Sequence, residues 1–488
     1  MGEAANNVTG AAAAAVRVLA ETRVAPALAP TAESGGGGGR VKLSFFDTPW
    51  VVLPPIQRVF LYALPAGAGD GAEFHAAVTR LKDSLAATLA LYLPLAGKLA
   101  YAAETGDVFI DLADDPGVAF IEAEVAAGDD HGMDLRRLAA DEAHDIPAFL
   151  ALVPPLDTRV LPAPVLSVQA TRLPGGGLAL GVSVHHAVAD GQAVWRFVSA
   201  WAAAARDGGS GSPVAKGALT PPHYDRSVVQ VPGGDEFARE MLRKVAPNLP
   251  VASTIKDFDF SQRFQLGRRT FYLAADDIQS LKRRIDELAA AEDSSAAAKK
   301  AKPVSTFVAL AALGWTAFVR AKSLAAGDDT YLVFLADLRT RINPPVADGY
   351  LGNCIKGCLA SADAGDLAGE RGLLAACRAV QAAVAEMEAA PLGGTEQWIQ
   401  RMMTLPFQRL CNVAASPRFR VYEASDFGFG RPARVELVSM NHDGEMVLVG
   451  GRGDGEVQVS VSLDPARMEV FKAHVLAVAD PAPAGEVN

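Results

Sequence analysis

The sequence predicts a mixed protein of the α/β or α+β class, built from two halves of similar size. Three observations lead to this prediction. Half of the 488 residues are hydrophobic, which is enough to form a large buried core. Segments of strand and helix character alternate in both halves. The Gly-, Ser- and Pro-rich segment Asp207–Pro222 lies near the midpoint and is typical of a linker. We therefore expect one domain over residues 1–220 and a second over residues 221–488.

Hydrophobic periodicity and turn signals place the elements of the first half. The longest predicted helix has apolar residues at three- and four-residue steps and stops just before Pro94. In chain order, we expect strands at Leu43–Asp47 and Val59–Tyr62, a helix at Glu73–Tyr92, a hairpin of Val165–Arg172 and Leu178–His185, and a helix at Gly191–Arg206.

The second half is assigned in the same way. We read the small, polar segment Glu292–Pro303 as a loop and Ser305 as the start of a helix. The other expected elements are a strand at Arg269–Leu273, a helix at Asp276–Ala291, a strand at Tyr331–Leu335, a helix at Glu370–Met387, and strands at Val435–Met440, Met446–Gly450 and Glu456–Leu463.

Composition excludes several classes of function. The chain carries 45 basic and 56 acidic residues, a net charge of −11, which argues against nucleic-acid binding. Its four cysteines are too few for a disulfide scaffold and lack zinc-ligand spacing. No stretch approaches the roughly 18 consecutive apolar residues of a membrane span, and the N-terminus does not resemble a signal peptide. We expect a cytoplasmic monomer without a metal site.

The segment His185–Gly191 is the most informative one, because it lies where a strand gives way to a helix. His186 and Asp190 stand in H-x-x-x-D spacing. Eight histidines and 56 acidic residues in 488 make roughly one such match expected by chance, so the spacing alone is weak. A His-His pair at a strand end, followed by Asp-Gly at the start of a helix, strengthens the functional interpretation. The alternative is a buried structural histidine, with Asp190 as the helix N-cap.

His186 is a candidate general base. Its ordinary pKa of about 6.5 leaves the imidazole largely neutral at cytosolic pH, so it could take a proton from an alcohol or amine that attacks a carbonyl. Asp190 could hydrogen-bond that imidazole, as in a triad, or turn away and anchor the loop through a salt bridge. Ser183 lacks the second glycine of a G-x-S-x-G elbow, so direct transfer is simpler than a covalent acyl-enzyme.

A second motif, Asp426–Pro432, contains two glycines that flank an aromatic residue. Gly428 and Gly430 predict tight backbone turns, with Phe429 packed between elements. This pattern indicates a structural segment.

Together, the two motifs resemble the plant BAHD acyltransferases, which carry HxxxD at mid-chain and DFGWG near the C-terminus. Leu93–Leu99, Pro303–Phe307 and Asp337–Arg341 are similar to that family's LPLAGKL, STF and DxRxR stretches. Three further segments resemble the anthocyanin and flavonoid-glycoside branch, which includes malonyltransferases: Leu43–Asp47, Tyr350–Cys354 and Ser416–Phe419. Phe429 replaces the tryptophan of DFGWG, and Leu351 replaces the phenylalanine of YFGNC. Both changes keep an apolar side chain, so we expect small packing effects.

The resemblance implies two chloramphenicol acetyltransferase-like α/β domains with a channel between them. It also implies an acyl-CoA co-substrate, malonyl-CoA above others, no permanently bound cofactor, and a phenolic glycoside acceptor. His186 would be the base, and Asp190 would pair with an arginine, Arg339 rather than Arg341. Asp426 is carried over as a catalytic candidate, although its motif usually lies away from the chemistry.

Donor binding is assigned by the same resemblance to Ser305 and Thr306, with Ser416 near the oxyanion. Lys300 and its neighbours Lys299 and Lys302 are candidates for the CoA phosphates, and the alternative is a solvated loop. Arg196 and Arg418 are candidates for a malonyl carboxylate. Two other functions remain open: transfer from a hydroxycinnamoyl-CoA, and metabolite binding without turnover.

Overall fold

The computed structural model describes residues 16–27, 39–65, 71–113, 115–126, 133–140, 143–208, 220–252, 265–292, 303–394, 397, 400–401, 404–440 and 442–479. Lys299, Lys300 and Lys302, most of the Gly35–Gly39 tract and most of the expected linker lie outside these residues. Among the described helices, none combines the length and the apolar character needed to cross a membrane.

A six-stranded sheet forms the centre of the first half. Its spatial order is β1-β6-β8-β9-β3-β14, antiparallel except for the parallel pair of β6 and β8. The last of these strands comes from far along the chain, so the second half completes the sheet of the first. The strands are β1 (Val16–Val24), β3 (Ile56–Ala63), β6 (Val118–Val125), β8 (Leu166–Leu173), β9 (Gly177–Val184) and β14 (Arg434–Leu437).

Two long helices pack against this sheet, and a small sheet flanks it. Helix α1 (Ala72–Leu89) contacts α4 (Gly191–Arg206), and their apolar faces share one hydrophobic core. The small sheet has the order β2-β5-β4-β7. It contains β2 (Arg40–Lys42), β4 (Lys98–Ala102), β5 (Asp107–Asp111) and β7 (Ala163–Pro164), and the short helices α2 (Leu135–Leu138) and α3 (Ile146–Ala151) follow β6.

The second half repeats the arrangement with its own six-stranded sheet, ordered β10-β16-β15-β13-β11-β12. Strands β11, β13 and β15 run parallel to one another, and the outer pairs are antiparallel. The strands are β10 (Gly267–Leu273), β11 (Asp329–Asp337), β12 (Ile355–Asp363), β13 (Leu410–Ala415), β15 (Glu445–Gly450) and β16 (Val457–Leu463).

A second hydrophobic core lies between this sheet and its helices. Helix α7 (Thr306–Lys322) is buried on nearly all sides and packs against α9 (Gly372–Ala389) and α11 (Met468–Ala479), which explains why its sequence is apolar almost all round. The helices of this half are α5 (Gly234–Val245), α6 (Ala275–Glu292), α7 (Thr306–Lys322), α8 (Ala364–Ala368), α9 (Gly372–Ala389), α10 (Val421–Ala424) and α11 (Met468–Ala479).

The predicted α/β character is confirmed, and most predicted elements lie within a few residues of the observed ones. One predicted strand was wrong, and several observed elements were not predicted. Leu43–Asp47 is a turn rather than a strand, because the Asp47 carboxylate accepts hydrogen bonds from the backbone N and the hydroxyl of Ser44 at 2.9 and 2.7 Å. The elements that were not predicted include α5, α11 and the strands β1, β6 and β13. The Leu43–Asp47 turn also joins the two halves, since Leu43 packs in the first core and Phe45 and Phe46 in the second.

Candidate active site

A cavity of about 1020 Å³ opens between the two large sheets. Its wall includes residues at or just beyond the carboxyl ends of β9, β11 and β13. Strands β11 and β13 are parallel, so both end at the same edge of the sheet. Loops that follow strand ends are where an α/β fold presents functional side chains. Residues of both halves line the cavity, among them Trp50, His186, Ser305, Thr306, Asp337, Arg339 and Ser416.

The two histidines that follow β9 have different environments. His185 is fully buried, and its Nδ1 accepts a hydrogen bond from the backbone N of Ala187 at 3.2 Å. Burial lowers the pKa of His185 to about 3, so this ring is neutral and part of the packing. His186 is half-buried and lines the cavity. Its Nδ1 is buried, which leaves Nε2 as the ring nitrogen available on the cavity side.

Trp50 fixes the plane of the His186 imidazole. The two rings stack with centroids 4.0 Å apart and an angle of 9° between their planes. Burial lowers the pKa of His186, and this effect is partly offset by hydrogen bonding and by the carboxylates of Asp190 and Asp47. The imidazole is therefore neutral at physiological pH, the state that can accept a proton.

Asp190 points away from the imidazole. Its carboxylate caps α4 by accepting from the backbone N of Ala193 at 3.0 Å. It also accepts from both terminal nitrogens of Arg339, at 2.9 and 3.1 Å, and from the backbone N of Cys354 at 3.0 Å. Both charged side chains are about 1% exposed. Arg341 instead donates to the backbone oxygen of Asp337, so the partner of Asp190 is Arg339.

A buried network of hydrogen bonds holds the loop that carries His186 in place. Asn353 donates through Nδ2 to the backbone oxygen of His186 and to Oδ1 of Asp47, at 2.9 Å each. The Nε of Arg226 lies 3.0 Å from Oδ2 of Asp47, and its Nη2 donates to the backbone oxygen of Val188 at 3.0 Å. The segments 43–47 and 350–354, which both resemble stretches of the anthocyanin branch, therefore meet at this loop.

Ser305 and Thr306 lie at the cavity wall, at the start of α7. The Ser305 hydroxyl caps the helix by accepting from the backbone N of Val308 at 3.2 Å. Lys282 of α6 donates to the Thr306 hydroxyl at 3.0 Å, which brings a cation to this helix N-terminus. The helix dipole and Lys282 together favour an anionic group here. Lys300, the cation that the sequence singled out, lies outside the described residues.

Ser416 also lines the cavity, directly after β13. Its hydroxyl accepts from the backbone N of Arg418 at 3.2 Å. The preceding residue, Ala415, has a φ of +64°, a left-handed conformation that is rare for a residue with a Cβ. Such strained backbone tends to occur at functional sites, and here it turns the chain at the cavity wall.

Asp426 and its neighbours do not line the cavity. One oxygen of the Asp426 carboxylate accepts from the backbone N of Gly428 at 2.8 Å and of Gly430 at 3.1 Å. Both glycines have φ near +90°, a conformation that disfavours any side chain. Phe429 packs edge-on against Tyr62, with ring centroids 5.7 Å apart. The Asp426 carboxylate therefore closes a turn, and it lies outside the cavity wall.

Other nucleophiles are poorly placed. Ser183 is fully buried and donates to the backbone oxygen of Pro154 at 2.6 Å. All four cysteines are free and buried, and burial raises the pKa of each thiol, that of Cys354 to about 12. In the described part of the chain, no three His, Cys, Asp or Glu side chains cluster as a metal site would require.

The structure thus brings His186, Asp190, Arg339, Ser305, Thr306 and Ser416 to one cavity and leaves Asp426 outside it. Sequence reasoning missed Trp50, Asp47, Asn353 and Arg226. Arg196, one candidate for a substrate carboxylate, pairs with Asp348 and is not part of the cavity wall. Arg418 is in the wall but is exposed.

Comparison with known proteins gives consistent matches over nearly the whole chain. The chain is 31% identical to malonyl-CoA:anthocyanidin 5-O-glucoside-6''-O-malonyltransferase from Arabidopsis thaliana, covering 94% of this chain and 97% of that protein. It is 29% identical to malonyl-coenzyme:anthocyanin 5-O-glucoside-6'''-O-malonyltransferase from Salvia splendens, over 91% and 93% of the two chains.

Among solved structures, vinorine synthase superimposes with a TM-score of 0.67 at 19% identity, covering 95% of this chain and 98% of that one. At this identity the likeness establishes the shared two-domain fold. The Transferase family matches residues 14–477. The chain therefore belongs to the Transferase family, the BAHD acyltransferases, and is an acyltransferase.

Proposed function

We propose that this acyltransferase moves a malonyl group from malonyl-CoA to a sugar hydroxyl of a phenolic or anthocyanin glycoside. The observation that carries the proposal is a neutral imidazole, His186, whose Nε2 side faces a cavity lined by both halves. The donor and the acceptor class follow those of the two relatives, which are malonyltransferases of anthocyanin and anthocyanidin 5-O-glucosides.

In the proposed mechanism, Nε2 of His186 takes the proton of the acceptor hydroxyl as that oxygen attacks the thioester carbonyl. A C–O bond forms and the carbonyl becomes a tetrahedral oxyanion. The C–S bond then breaks, and the CoA thiolate receives the proton back from the imidazolium. General-base assistance of this kind contributes about 10²–10⁴-fold to the rate.

The surrounding residues have supporting roles in this proposal. Trp50 and Asn353 hold the imidazole and its loop in position, and the Asp190–Arg339 pair anchors the helix that follows. The start of α7 and Lys282 favour a phosphate or carboxylate of the donor. Ser416, which lines the cavity, is the proposed hydrogen-bond donor to the oxyanion, an interaction worth about 2.7–4 kcal/mol in other acyl-transfer enzymes.

The test is a screen of phenolic glucosides with malonyl-CoA, coumaroyl-CoA and acetyl-CoA, followed by free-thiol release and by mass spectrometry of the products. We expect a glucoside heavier by one malonyl group, with malonyl-CoA the preferred donor. A preference for coumaroyl-CoA would contradict malonyl-CoA as the donor and identify a hydroxycinnamoyl-CoA instead. Absence of thiol release with every pair would favour metabolite binding without turnover. The cytoplasmic location and the monomeric state stay predictions.

A further inference from the structure

Arg58 is a buried cation in the cavity wall. It lies on β3, where the sheet register places it opposite Val182 on one side and Leu437 on the other. On the helix side of the sheet, its guanidinium stacks over the Trp195 ring, with Cζ 4.7 Å from the ring centroid. A strongly polar group is therefore set among apolar neighbours in the wall of the cavity.

This guanidinium has no anionic partner within the described residues. Arg58 is only 6% exposed, and its Nε is buried without an acceptor. No carboxylate of the described part of the chain forms an ion pair with it. Glu436 acts on it only at longer range and is itself bound to Arg434, Thr270 and Ser460. Burial lowers the pKa of Arg58 to about 10, so the group still carries its charge at neutral pH.

A buried charge without a counter-charge is costly, and stacking on Trp195 offsets only part of that cost. The other arginines at the cavity are differently placed. Arg339 is engaged by Asp190, and Arg341, Arg418 and Arg420 are exposed. Among the described residues of the cavity wall, Arg58 is thus the buried guanidinium without an anionic protein partner. An anion bound in the cavity would have to supply the counter-charge.

We propose that Arg58 binds a carboxylate group of a substrate and thereby selects for substrates that carry one. A planar guanidinium matches a carboxylate by two parallel hydrogen bonds, and a low-dielectric wall strengthens them. The carboxylate can come from two sources: the free end of a malonyl donor, or an acidic group on the glycoside acceptor. The inference rests on the proposed function and specifies the chemistry of its site.

The experiment compares Arg58→Gln with the unaltered enzyme in four reactions. Malonyl-CoA and acetyl-CoA are each paired with a neutral phenyl glucoside and with a 4-carboxyphenyl glucoside. We expect kcat/KM to fall about 10- to 100-fold wherever the recognised carboxylate is present, and to stay unchanged elsewhere. Loss confined to malonyl-CoA identifies the donor as the source, and loss confined to the carboxyphenyl glucoside identifies the acceptor.

Two further variants make the result specific. Arg58→Lys keeps a charge but not the two-pronged geometry, so we expect it to recover part of the lost kcat/KM. Arg136→Gln removes an exposed arginine of α2 and serves as the matched control, with no change expected. Equal losses in all four reactions, or no loss in any, would overturn the inference while leaving the proposed function intact.

If Arg58→Gln does not fold, the unaltered enzyme still tests the inference. Malonyl-CoA is then compared with its methyl ester, and the carboxyphenyl glucoside with its methyl ester. We expect the ester to be the poorer substrate, by about tenfold or more, in one of the two pairs. Equal kcat/KM in both pairs would contradict the inference. No thiol release from any donor would overturn the proposed function and this inference with it.

Discussion

The buried pair of Asp190 and Arg339 makes a quantitative prediction about folding. The Asp190 carboxylate accepts four hydrogen bonds: two from Arg339, one from Ala193 and one from Cys354. Replacement of Asp190 by alanine removes both carboxylate oxygens and with them all four hydrogen bonds. The guanidinium of Arg339 would then stay buried, bound only to backbone oxygens and to Asp337.

The size of the effect follows from these contacts. Removal of one partner of a buried ion pair costs about 3–5 kcal/mol, and loss of an N-cap costs about 1 kcal/mol. The two terms share one carboxylate and do not simply add. We expect Asp190→Ala to lower the free energy of unfolding by about 4 kcal/mol, a large part of the roughly 5–15 kcal/mol of a typical domain. Asp190→Asn keeps an oxygen for the cap and should cost less.

Urea unfolding at pH 7 measures these differences. The double variant Asp190→Ala/Arg339→Met removes both charges. It should recover part of the loss, because two apolar groups are cheaper to bury than a guanidinium that keeps only the half-buried Asp337 as its anionic partner. Asp190→Asn should keep measurable turnover wherever it is folded. Unchanged unfolding of Asp190→Ala together with lost turnover would refute the structural role and assign Asp190 to the chemistry.

Two other predictions concern the loop and the acid stability. Asn353→Ala leaves the backbone oxygen of His186 without its hydrogen-bond donor. We expect the free energy of urea unfolding to fall by about 1–3 kcal/mol, and kcat to fall with little change in KM. An unchanged kcat would show that the loop does not need this contact. His144 and His185 are fully buried, and burial lowers the pKa of each to about 3. In the unfolded chain these imidazoles have a pKa near 6.5 and bind protons below that pH, whereas in the folded chain they stay neutral. Their neutral burial therefore contributes its full stability above pH 6.5, and the free energy of unfolding decreases as the pH falls toward 3. At pH 5 each buried histidine should lower the free energy of unfolding by about 2 kcal/mol. His185→Asn should therefore show a smaller difference in the free energy of urea unfolding between pH 7 and pH 5, by that amount. An identical difference in the variant would contradict the assignment.

Local sequence signals located much of the fold. Helix α4 begins and ends where predicted, because Asp190 is an N-cap and the apolar residues after Gly191 recur at helical spacing. The same reasoning failed at Leu43–Asp47. There an apolar run suggested a strand, but side-chain hydrogen bonds within four residues form a turn.

The parts of the site that sequence reasoning missed depend on contacts between distant segments. Asp47 and Asn353 are 306 positions apart in the chain and still hydrogen-bonded. No local pattern distinguishes Arg58 from an arginine on the solvent face of a strand, because burial by Trp195 appears only after the sheet and α4 have packed. At Asp426 the local pattern was informative: two glycines flanking an aromatic residue indicated a structural segment, and the carboxylate closes a turn there.

The central claim is that the His186 imidazole removes the acceptor proton. The most direct test is kcat of His186→Gln with malonyl-CoA and a phenolic glucoside, beside His442→Gln, a second histidine in the cavity wall, as the matched control. We predict that His186→Gln lowers kcat by about 10²–10⁴-fold with unaltered urea unfolding, and that His442→Gln retains its activity. Turnover of the folded His186→Gln variant close to that of the unaltered enzyme would contradict the claim.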